Sequence, residues 1–355
     1  MKSVLYINDY AINGETDSQV IDKCLAEISK ISTHKTIVFN GKDYHIDKAI
    51  LLPSNTTVII DNCKIFQNDL VFDNIFRGDN LVIDDNSPYD VPLDVLPLAN
   101  VKIIGNGNAE IVGTKQPKTM YHPFFKENML AVGDFWGYRT HSVSISNCNG
   151  FEISGLKLSN TMGWAICFDN CKNCNVHYLE IISNVKNGDG IDFRSGCNNC
   201  IVDNITGYTS DDTVACSALS NGKTNRLLSK YLYSSEPYNS CHENIDKSIH
   251  DIKISNIFTG GKHHGVICLA ANGNKLYNVE ISNVFDGFDG ERESSVRVYT
   301  GYGEGFMKGD IKDIKINGVT SNISKYAVMV TCETENLTVE NLTQNNANGE
   351  ILYKV

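Results

Sequence analysis

The sequence contains no apolar run that approaches the roughly 20 residues needed for a membrane-spanning helix. It also lacks an excess of positive charge, and its net charge of -11 opposes binding to nucleic acid phosphates and anionic membranes. The N-terminus has no apolar segment of about 7–15 residues followed by a small-residue cleavage site, as a secretory signal would have. These absences predict a cytoplasmic protein that binds neither nucleic acid nor membrane.

One short pattern recurs along the chain: an apolar residue, any residue, Val or Ile, two further residues, and a third apolar residue. Steps of 23, 26, 52, 27, 35 and 23 residues separate the seven copies. These steps indicate a period of about 23–27 residues with one double step and one lengthened unit. The copies begin at Phe151, Cys174, Cys200, Ile252, Val279, Ile314 and Leu337.

Each copy has the features of a short strand that ends in residues suited to sharp corners, as in Ile254-Ser255-Asn256. One such unit cannot bury its apolar side alone, whereas a stack of units buries it in a continuous core. The pattern therefore predicts an all-β fold, namely a single-stranded right-handed parallel β-helix that forms one domain over residues 1–355.

Three segments fall outside the repeat. Apolar residues at helical spacing predict a helix over residues 18–31, with Asp17 or Ser18 as its N-terminal cap, that covers the open end of the solenoid. Residues 66–140 and 220–248 are interpreted as long loops that rim a groove. Trp136 in the first loop is a candidate for stacking on a sugar ring and, equally, for packing the loop onto the coil.

The twelve cysteines allow two interpretations. Cys171-x-x-Cys174 and Cys197-x-x-Cys200 have the spacing of two halves of a zinc site. Cys174 and Cys200, however, occupy the inward repeat position that Phe151 fills in another copy. We therefore favour reduced cysteines that act as small buried apolar residues, and we predict neither a metal nor a cofactor.

Several polar residues follow the first position of their own coil by similar distances. The offsets lie between 11 and 18 residues, and the largest belongs to a coil that Asp286-Gly287-Phe288-Asp289-Gly290 extends. A similar phase in successive coils places side chains on one face, separated by the strand spacing of about 4.8 Å or small multiples of it. The residues concerned are Asp189, Asp211, Asp212, His264 and Arg297.

Three carboxylates this close cannot all ionise freely, because like charges raise one another's pKa. One protonated and two ionised carboxyl groups suit inverting hydrolysis of a glycosidic bond, in which the acid and the base lie roughly 6.5–9.5 Å apart. The alternative is that Asp211-Asp212 is a solvated turn and that residues 187–190 form a simple corner. The shared phase favours the catalytic interpretation.

At these residues the chain resembles the polygalacturonases, the family 28 glycoside hydrolases. Four motifs carry the resemblance, in the family's order and with similar spacing. Asn187-Gly188-Asp189-Gly190 resembles the family's Asn-Thr-Asp-Gly, Ser210-Asp211-Asp212 its Gly-Asp-Asp, His264-Gly265 its His-Gly, and Arg297-Val298-Tyr299 its Arg-Ile-Lys.

The resemblance implies an inverting, metal-independent hydrolase. It assigns the role of general acid to Asp211, and it implies that Asp189 and Asp212 hold and deprotonate the attacking water. His264 would tune the protonation of the acid, and the neighbouring His263 competes for this role. The glycine that follows His264 favours His264.

The resemblance also implies that Arg297 binds the sugar at the cleavage point. Tyr299 replaces the family's lysine, so one of two cationic contacts to a uronate carboxylate is missing, which is worth about 1.5–3 kcal/mol. We expect a uronic-acid-containing or related oligosaccharide or polysaccharide, attacked from a chain end. The predicted substrate-binding residues are Asn187, His263, Arg297, Tyr299 and Trp136.

Two other classes of function suit the same fold. A polysaccharide lyase or epimerase would remove a proton beside a carboxylate with a strong base or a calcium ion. A non-catalytic glycan-binding protein, similar to a phage tailspike or an adhesin, would bind saccharide without releasing reducing sugar.

Overall fold

The structure is a computed structural model that describes residues 3–69, 71, 73–83, 92–115, 119–122, 127–130, 141–220 and 235–355. In these residues 22 strands form one continuous parallel ladder, wound so that each coil adds a strand to each of three faces. This is the predicted parallel β-helix. No helix in the described part of the chain is long and apolar enough to cross a membrane.

The first sheet carries the repeat found in the sequence. Its strands pair in register, so that Phe151 lies beside Cys174 and Cys200 beside Ile252. The strands are Val4–Tyr6, Lys35–Phe39, Thr56–Asp61, Leu98–Asn106, Cys148–Ser159, Lys172–Ser183, Asn198–Thr209, Ile249–Ala270, Leu276–Tyr299, Ile311–Ser321 and Glu335–Gln344.

The other two sheets close the coil. The second consists of Tyr44–Ile46, Lys64–Gln67, Glu110–Val112 and the later parts of long strands that began in the first sheet. In the later coils, the third sheet is formed by the last parts of Ile249–Ala270 and Leu276–Tyr299, followed by Tyr326–Val330 and Glu350–Lys354. Its separate strands are Ile50–Leu52, Phe76–Gly78, Val143–Ser146, Ile166–Asp169, Ile191–Arg194, Val214–Ala218, Tyr326–Val330 and Glu350–Lys354.

Asparagines make the corner between the first and second sheets. Asn204, Asn256 and Asn283 adopt left-handed backbone conformations, with φ of 54°, 55° and 53°. Asparagine tolerates this region better than other residues with a Cβ atom. The side chain of Asn283 donates a hydrogen bond to that of Asn256, which in turn donates to Asp203 in the preceding coil. The predicted corner residues therefore also link neighbouring coils.

Two predictions about the repeat were wrong. The step of 52 residues is not a double step, because Cys200 pairs directly with Ile252 and the intervening chain leaves and rejoins one coil. Residues 66–140 are not one loop, because Leu98–Asn106 lies between Thr56–Asp61 and Cys148–Ser159 in the first sheet. Long insertions on both sides of this coil hide it from a search for regular spacing.

Two short antiparallel pairs lie outside the coil. Leu81–Val82 pairs with Asp94–Val95, and Thr119–His122 pairs with Glu127–Leu130. A short helix, Pro237–Cys241, belongs to the second predicted loop. Trp136 lies outside the described residues.

The N-terminal capping helix is confirmed, with different bounds. It spans Asp17–Ile28 and follows a 3₁₀ turn at Ile7–Tyr10. Its cap is Thr16, not Asp17 or Ser18: the Thr16 hydroxyl accepts from the Gln19 N–H, and the Gln19 side chain accepts from the Thr16 N–H. This reciprocal pair satisfies two donors at the helix start. The buried side chains are Ser18, Val20, Ile21, Cys24 and Ile28, and the four apolar ones join the core of the solenoid.

All twelve cysteines are free, and eleven are buried. Cys171, Cys174, Cys197 and Cys200 all point into the apolar core of the coil. Burial raises the pKa of the Cys197 thiol. These residues therefore occupy the inward positions that the repeat predicted for them.

Candidate active site

The candidate catalytic residues lie at one corner of the coil, between the second and third sheets. Backbone hydrogen bonds stack the corners of successive coils. The Gly190 N–H donates to the Asp212 carbonyl oxygen at 2.9 Å, and the Thr213 N–H donates to the His264 carbonyl oxygen at 3.0 Å. Asp189, Asp212 and His264 therefore occupy matching places in three consecutive coils.

This stacking brings three carboxyl groups together. One oxygen of each of Asp189, Asp211 and Asp212 lies within 4.8 Å of the others. Asp189 is buried, while the other two are partly exposed. The equal phase in the sequence thus corresponds to a real cluster of acids.

The corner that holds Asp189 depends on its neighbours in sequence. Asn187 has a left-handed backbone with φ of 49° and starts the tight turn. At Gly190 a Cβ atom would lie only 2.4 Å from the Thr213 carbonyl oxygen of the next coil. Only glycine allows this close approach, which fixes the distance between the coil of Asp189 and the coil of Asp212 at this corner. The predicted contact of Asn187 with the substrate stays a prediction.

A buried arginine lies beneath the cluster. The Arg292 side chain is 3% exposed, and its Nη2 donates to the Thr213 hydroxyl at 2.8 Å and the Thr259 hydroxyl at 3.1 Å. The Thr209 hydroxyl, in the same group, donates to the Asp211 carbonyl oxygen at 3.0 Å. Burial lowers the pKa of Arg292 to about 10, so the side chain remains a cation at neutral pH. No motif in the sequence pointed to Arg292.

The pKa of the Asp212 carboxyl is raised well above its ordinary value. Burial of its carboxyl is the main cause, and the negative charges of Asp211 and Asp192 add to it, while Arg292 and Arg297 oppose the shift. Oδ1 of Asp212 is buried without a hydrogen-bond partner among the described residues. Burial therefore favours the protonated form of Asp212, whereas the family resemblance assigned the acid role to Asp211.

The two histidines occupy different surroundings. His264 is buried, and its Nδ1 contacts the Ser294 hydroxyl at 2.8 Å. Burial and the charge of Arg297 hold its pKa well below the usual value, so the ring is neutral. Its Nε2 lies 3.0 Å from Nη1 of Arg297 and must accept this hydrogen bond, which leaves the proton on Nδ1. His263 is exposed, and its Nδ1 lies 3.8 Å from Asp211 Oδ1.

The structure therefore separates the roles considered for this pair of residues. The ring beside Asp211 belongs to His263, and the described contacts of His264 run to Ser294, Arg297 and Glu293. Gly265 nevertheless has a structural reason to follow His264. A Cβ atom at residue 265 would lie 2.8 Å from Nη1 of Arg292.

Arg297 and Tyr299 lie on the outward face of the third sheet, next to the acids. The guanidinium carbon of Arg297 lies 4.1 Å from the centre of the Tyr299 ring, a cation–π contact. Nη1 of Arg297 also donates to Oε2 of Glu293 at 2.7 Å. Glu293 is a second site residue that no sequence motif indicated.

The three aspartates are the one group of three or more candidate ligands in the described residues that could hold a metal ion. Carboxylate oxygens suit hard cations such as Ca²⁺ and Mg²⁺. Such an ion would require ionised Asp212, and burial of that carboxyl favours its protonated form. Proton and cation would therefore compete for the same oxygens.

We expect Asp212→Asn to stabilise the folded protein at neutral pH more than at acid pH. In the unfolded chain the carboxyl ionises near pH 3.8, the ordinary value for an aspartate, and in the folded site its pKa is higher. The wild type therefore loses stability as the pH rises from about 4 towards the folded pKa, and a neutral amide does not. Calorimetry at about pH 4 and pH 7 measures the difference in Tm. A difference that shrinks as the pH rises would show that folded Asp212 is ionised.

No protein-family model and no curated protein sequence matches this chain. Solved structures do share its fold. A hyperthermoactive exopolygalacturonase from Thermotoga maritima aligns with a TM-score of 0.55 over 99% of this chain and 91% of that one, at 13% identity. A 1,3-alpha-1,4-beta-D-galactose-4-sulfate-3,6-anhydro-D-galactose-2-sulfate 4 galactohydrolase aligns with a TM-score of 0.63 over 100% and 90%, also at 13% identity.

A surface adhesin of Streptococcus pneumoniae aligns as well, with a TM-score of 0.54 over 98% of this chain and 93% of that one, at 11% identity. At such identities the likeness shows the fold alone. The chain therefore has the right-handed parallel β-helix found in polygalacturonases and other glycoside hydrolases, and found also in a protein described as an adhesin.

Proposed function

We propose that this protein is a glycoside hydrolase that cleaves an oligosaccharide or polysaccharide bound along the outward face of the third sheet. The observation that carries the proposal is the convergence of Asp189, Asp211 and Asp212 within 4.8 Å. Hydrolysis of a glycosidic bond needs an acid for the leaving oxygen and a carboxylate for water. One protonated and two ionised carboxyl groups supply both.

The adjacent pair Asp211 and Asp212 carries a single proton, because two carboxylates so close resist a second charge. Asp211, whose side chain is 20% exposed, delivers this proton to the leaving glycosidic oxygen. Asp189 accepts a proton from the water that attacks the anomeric carbon. Arg292 supports this division, since its contacts with Thr209 and Thr213 hold both ends of the Asp211-Asp212 turn.

Attack from a chain end is favoured by a segment that covers the third sheet on one side of the cluster. The Tyr238 N–H donates to Oδ2 of buried Asp169 at 2.6 Å, and the Ser235 carbonyl oxygen accepts from the Cys167 thiol at 3.3 Å. Arg194 and Glu236 add an ion pair at 3.1 Å. These contacts lie over Ile191–Arg194, in the coil of Asp189, and over Ile166–Asp169, in the coil before it. Sugar units can therefore extend mainly towards the later coils.

The test is incubation with a panel of defined oligosaccharides, followed by proton NMR of the first-formed anomer. We expect release of reducing sugar with inversion, as the resemblance implies, and no change when EDTA is added. A retained anomer would replace direct attack by water with a covalent intermediate. A product that absorbs in the ultraviolet would indicate a lyase. Binding without any product would support a glycan-binding protein.

A further inference from the structure

Arg297 is neutralised by the protein before any sugar binds. Its Nη1 lies 2.7 Å from Oε2 of Glu293, and the same carboxylate oxygen lies 3.6 Å from Nε2 of His264. The Arg297 side chain is only 15% exposed, and one face of its guanidinium packs on Tyr299. The arginine therefore offers hydrogen-bond donors but little net charge.

The position of Glu293 results from a β-bulge. His263 pairs with Arg292 and His264 pairs with Ser294, so Glu293 is an extra residue in its strand. A bulge redirects the side chain that it carries and is common beside active sites. Here it places a carboxylate four residues before Arg297 and within contact of its guanidinium.

The surroundings of Arg297 are also unsuited to an anionic sugar. Asp189, Asp211 and Asp212 already contribute up to three negative charges, and Glu293 adds another. A uronate carboxylate at this point would have more acidic than basic neighbours. Its binding would be unfavourable, because like charges within several ångströms repel strongly at low dielectric.

The sheet floor beside Arg297 is apolar. Ala215, Ile267 and Leu269 form a separate cluster on its outward face, with Leu219 and Tyr299 packed against them. These three side chains are only 2–4% exposed, so they do not themselves contact a sugar, and they offer no hydrogen-bond donor beside Arg297.

We propose that Glu293 is a specificity-determining residue that selects an uncharged sugar at the cleavage point and excludes a uronic acid. This inference rests on the proposed glycoside hydrolase function and narrows its substrate class. Arg297 then donates hydrogen bonds to hydroxyl groups of a neutral sugar. Tyr299 replaces the family's lysine, which removes a positive charge, and Glu293 adds a negative one. Both changes make the surroundings of Arg297 more negative.

The experiment compares Glu293→Gln with the wild type on pairs of oligosaccharides that differ only at C6, where one carries a carboxylate and the other a hydroxymethyl group. The first pair is an α-1,4-linked trigalacturonate and its carboxyl-reduced form. We expect the wild type to prefer the neutral member, and Glu293→Gln to raise kcat/KM for the charged member about tenfold, mainly through KM. The neutral member should change by less than about threefold.

Glu291→Gln is the matched control, because Glu291 is exposed in the same strand and its substitution removes the same charge. It should leave the preference unchanged. A wild type that prefers the uronate, or an equal shift in both variants, would overturn the role of Glu293. If the wild type hydrolyses nothing, the hydrolase proposal fails, and calorimetric titration with the same pair still decides the preference. Tighter binding of the charged member, or no binding of either, would overturn the inference.

Discussion

Asp211→Asn should lower kcat by about 10²–10⁴-fold while the fold is retained, because the variant removes the proton donor for the leaving oxygen. The amide has nearly the same shape as the carboxyl, and the backbone contact from Thr209 to residue 211 is unaffected. Initial rates on the best oligosaccharide of the panel measure the loss, and circular dichroism checks the fold. Asp289→Asn is the control, since Asp289 is exposed in a neighbouring coil.

An aryl glycoside with a good leaving group tests directly whether Asp211 is the proton donor. Such a substrate needs little protonation, so Asp211→Asn should recover most of its activity on it, whereas Asp189→Asn should remain inactive because its water is not deprotonated. Burial favours the protonated form of Asp212 as well, which makes Asp212→Asn the informative comparison. If Asp212→Asn, and not Asp211→Asn, recovers on the aryl glycoside, Asp212 is the acid and the role implied by the resemblance is overturned.

Asp286→Ala should lower the free energy of unfolding by about 3–5 kcal/mol, because it leaves several buried donors without a partner. The carboxylate is fully buried, and Oδ2 accepts from the Ser295 hydroxyl at 2.9 Å and from the Ser324 N–H at 2.9 Å. Oδ1 accepts from the N–H groups of Asn322 and Ile323. The residue thus ties one coil to the turn of the next.

Urea or guanidinium unfolding, followed by circular dichroism, measures this loss. Asp289→Ala, in the same extended corner but exposed, is the control and should change stability by less than about 0.5 kcal/mol. Asp286 also favours the charged form of the buried Arg292. A loss no larger than that of the control would show that water or other groups satisfy the freed donors.

Much of the fold was predictable because every coil of a solenoid buries its apolar side chains in the same way. The inward positions of Phe151, Cys174 and Cys200 follow from a period that the core imposes on every coil, and the structure pairs them in register. The coil at Leu98–Asn106 was not predictable in the same way, because long insertions on both sides remove its regular spacing.

In the site, too, regular spacing predicted some residues and not others. Asp189, Asp211 and Asp212 could be placed together from their phase, because nearly regular coils stack equal phases on one corner. Phase fails where a strand contains extra residues. Thr259 pairs with Asp286 and Gly261 with Gly290, so two residues are added there, and Glu293 adds a third.

The sequence by itself therefore determined the solenoid, its inward core positions and the approach of three acids, since all three depend on a repeat that is visible in one dimension. Only the tertiary structure decided which histidine lies beside Asp211, that burial raises the pKa of Asp212, and what neutralises Arg297. These features depend on bulges, on burial and on contacts between residues of different coils. None of them leaves a periodic trace in the chain, because each arises from one local irregularity in the stacking.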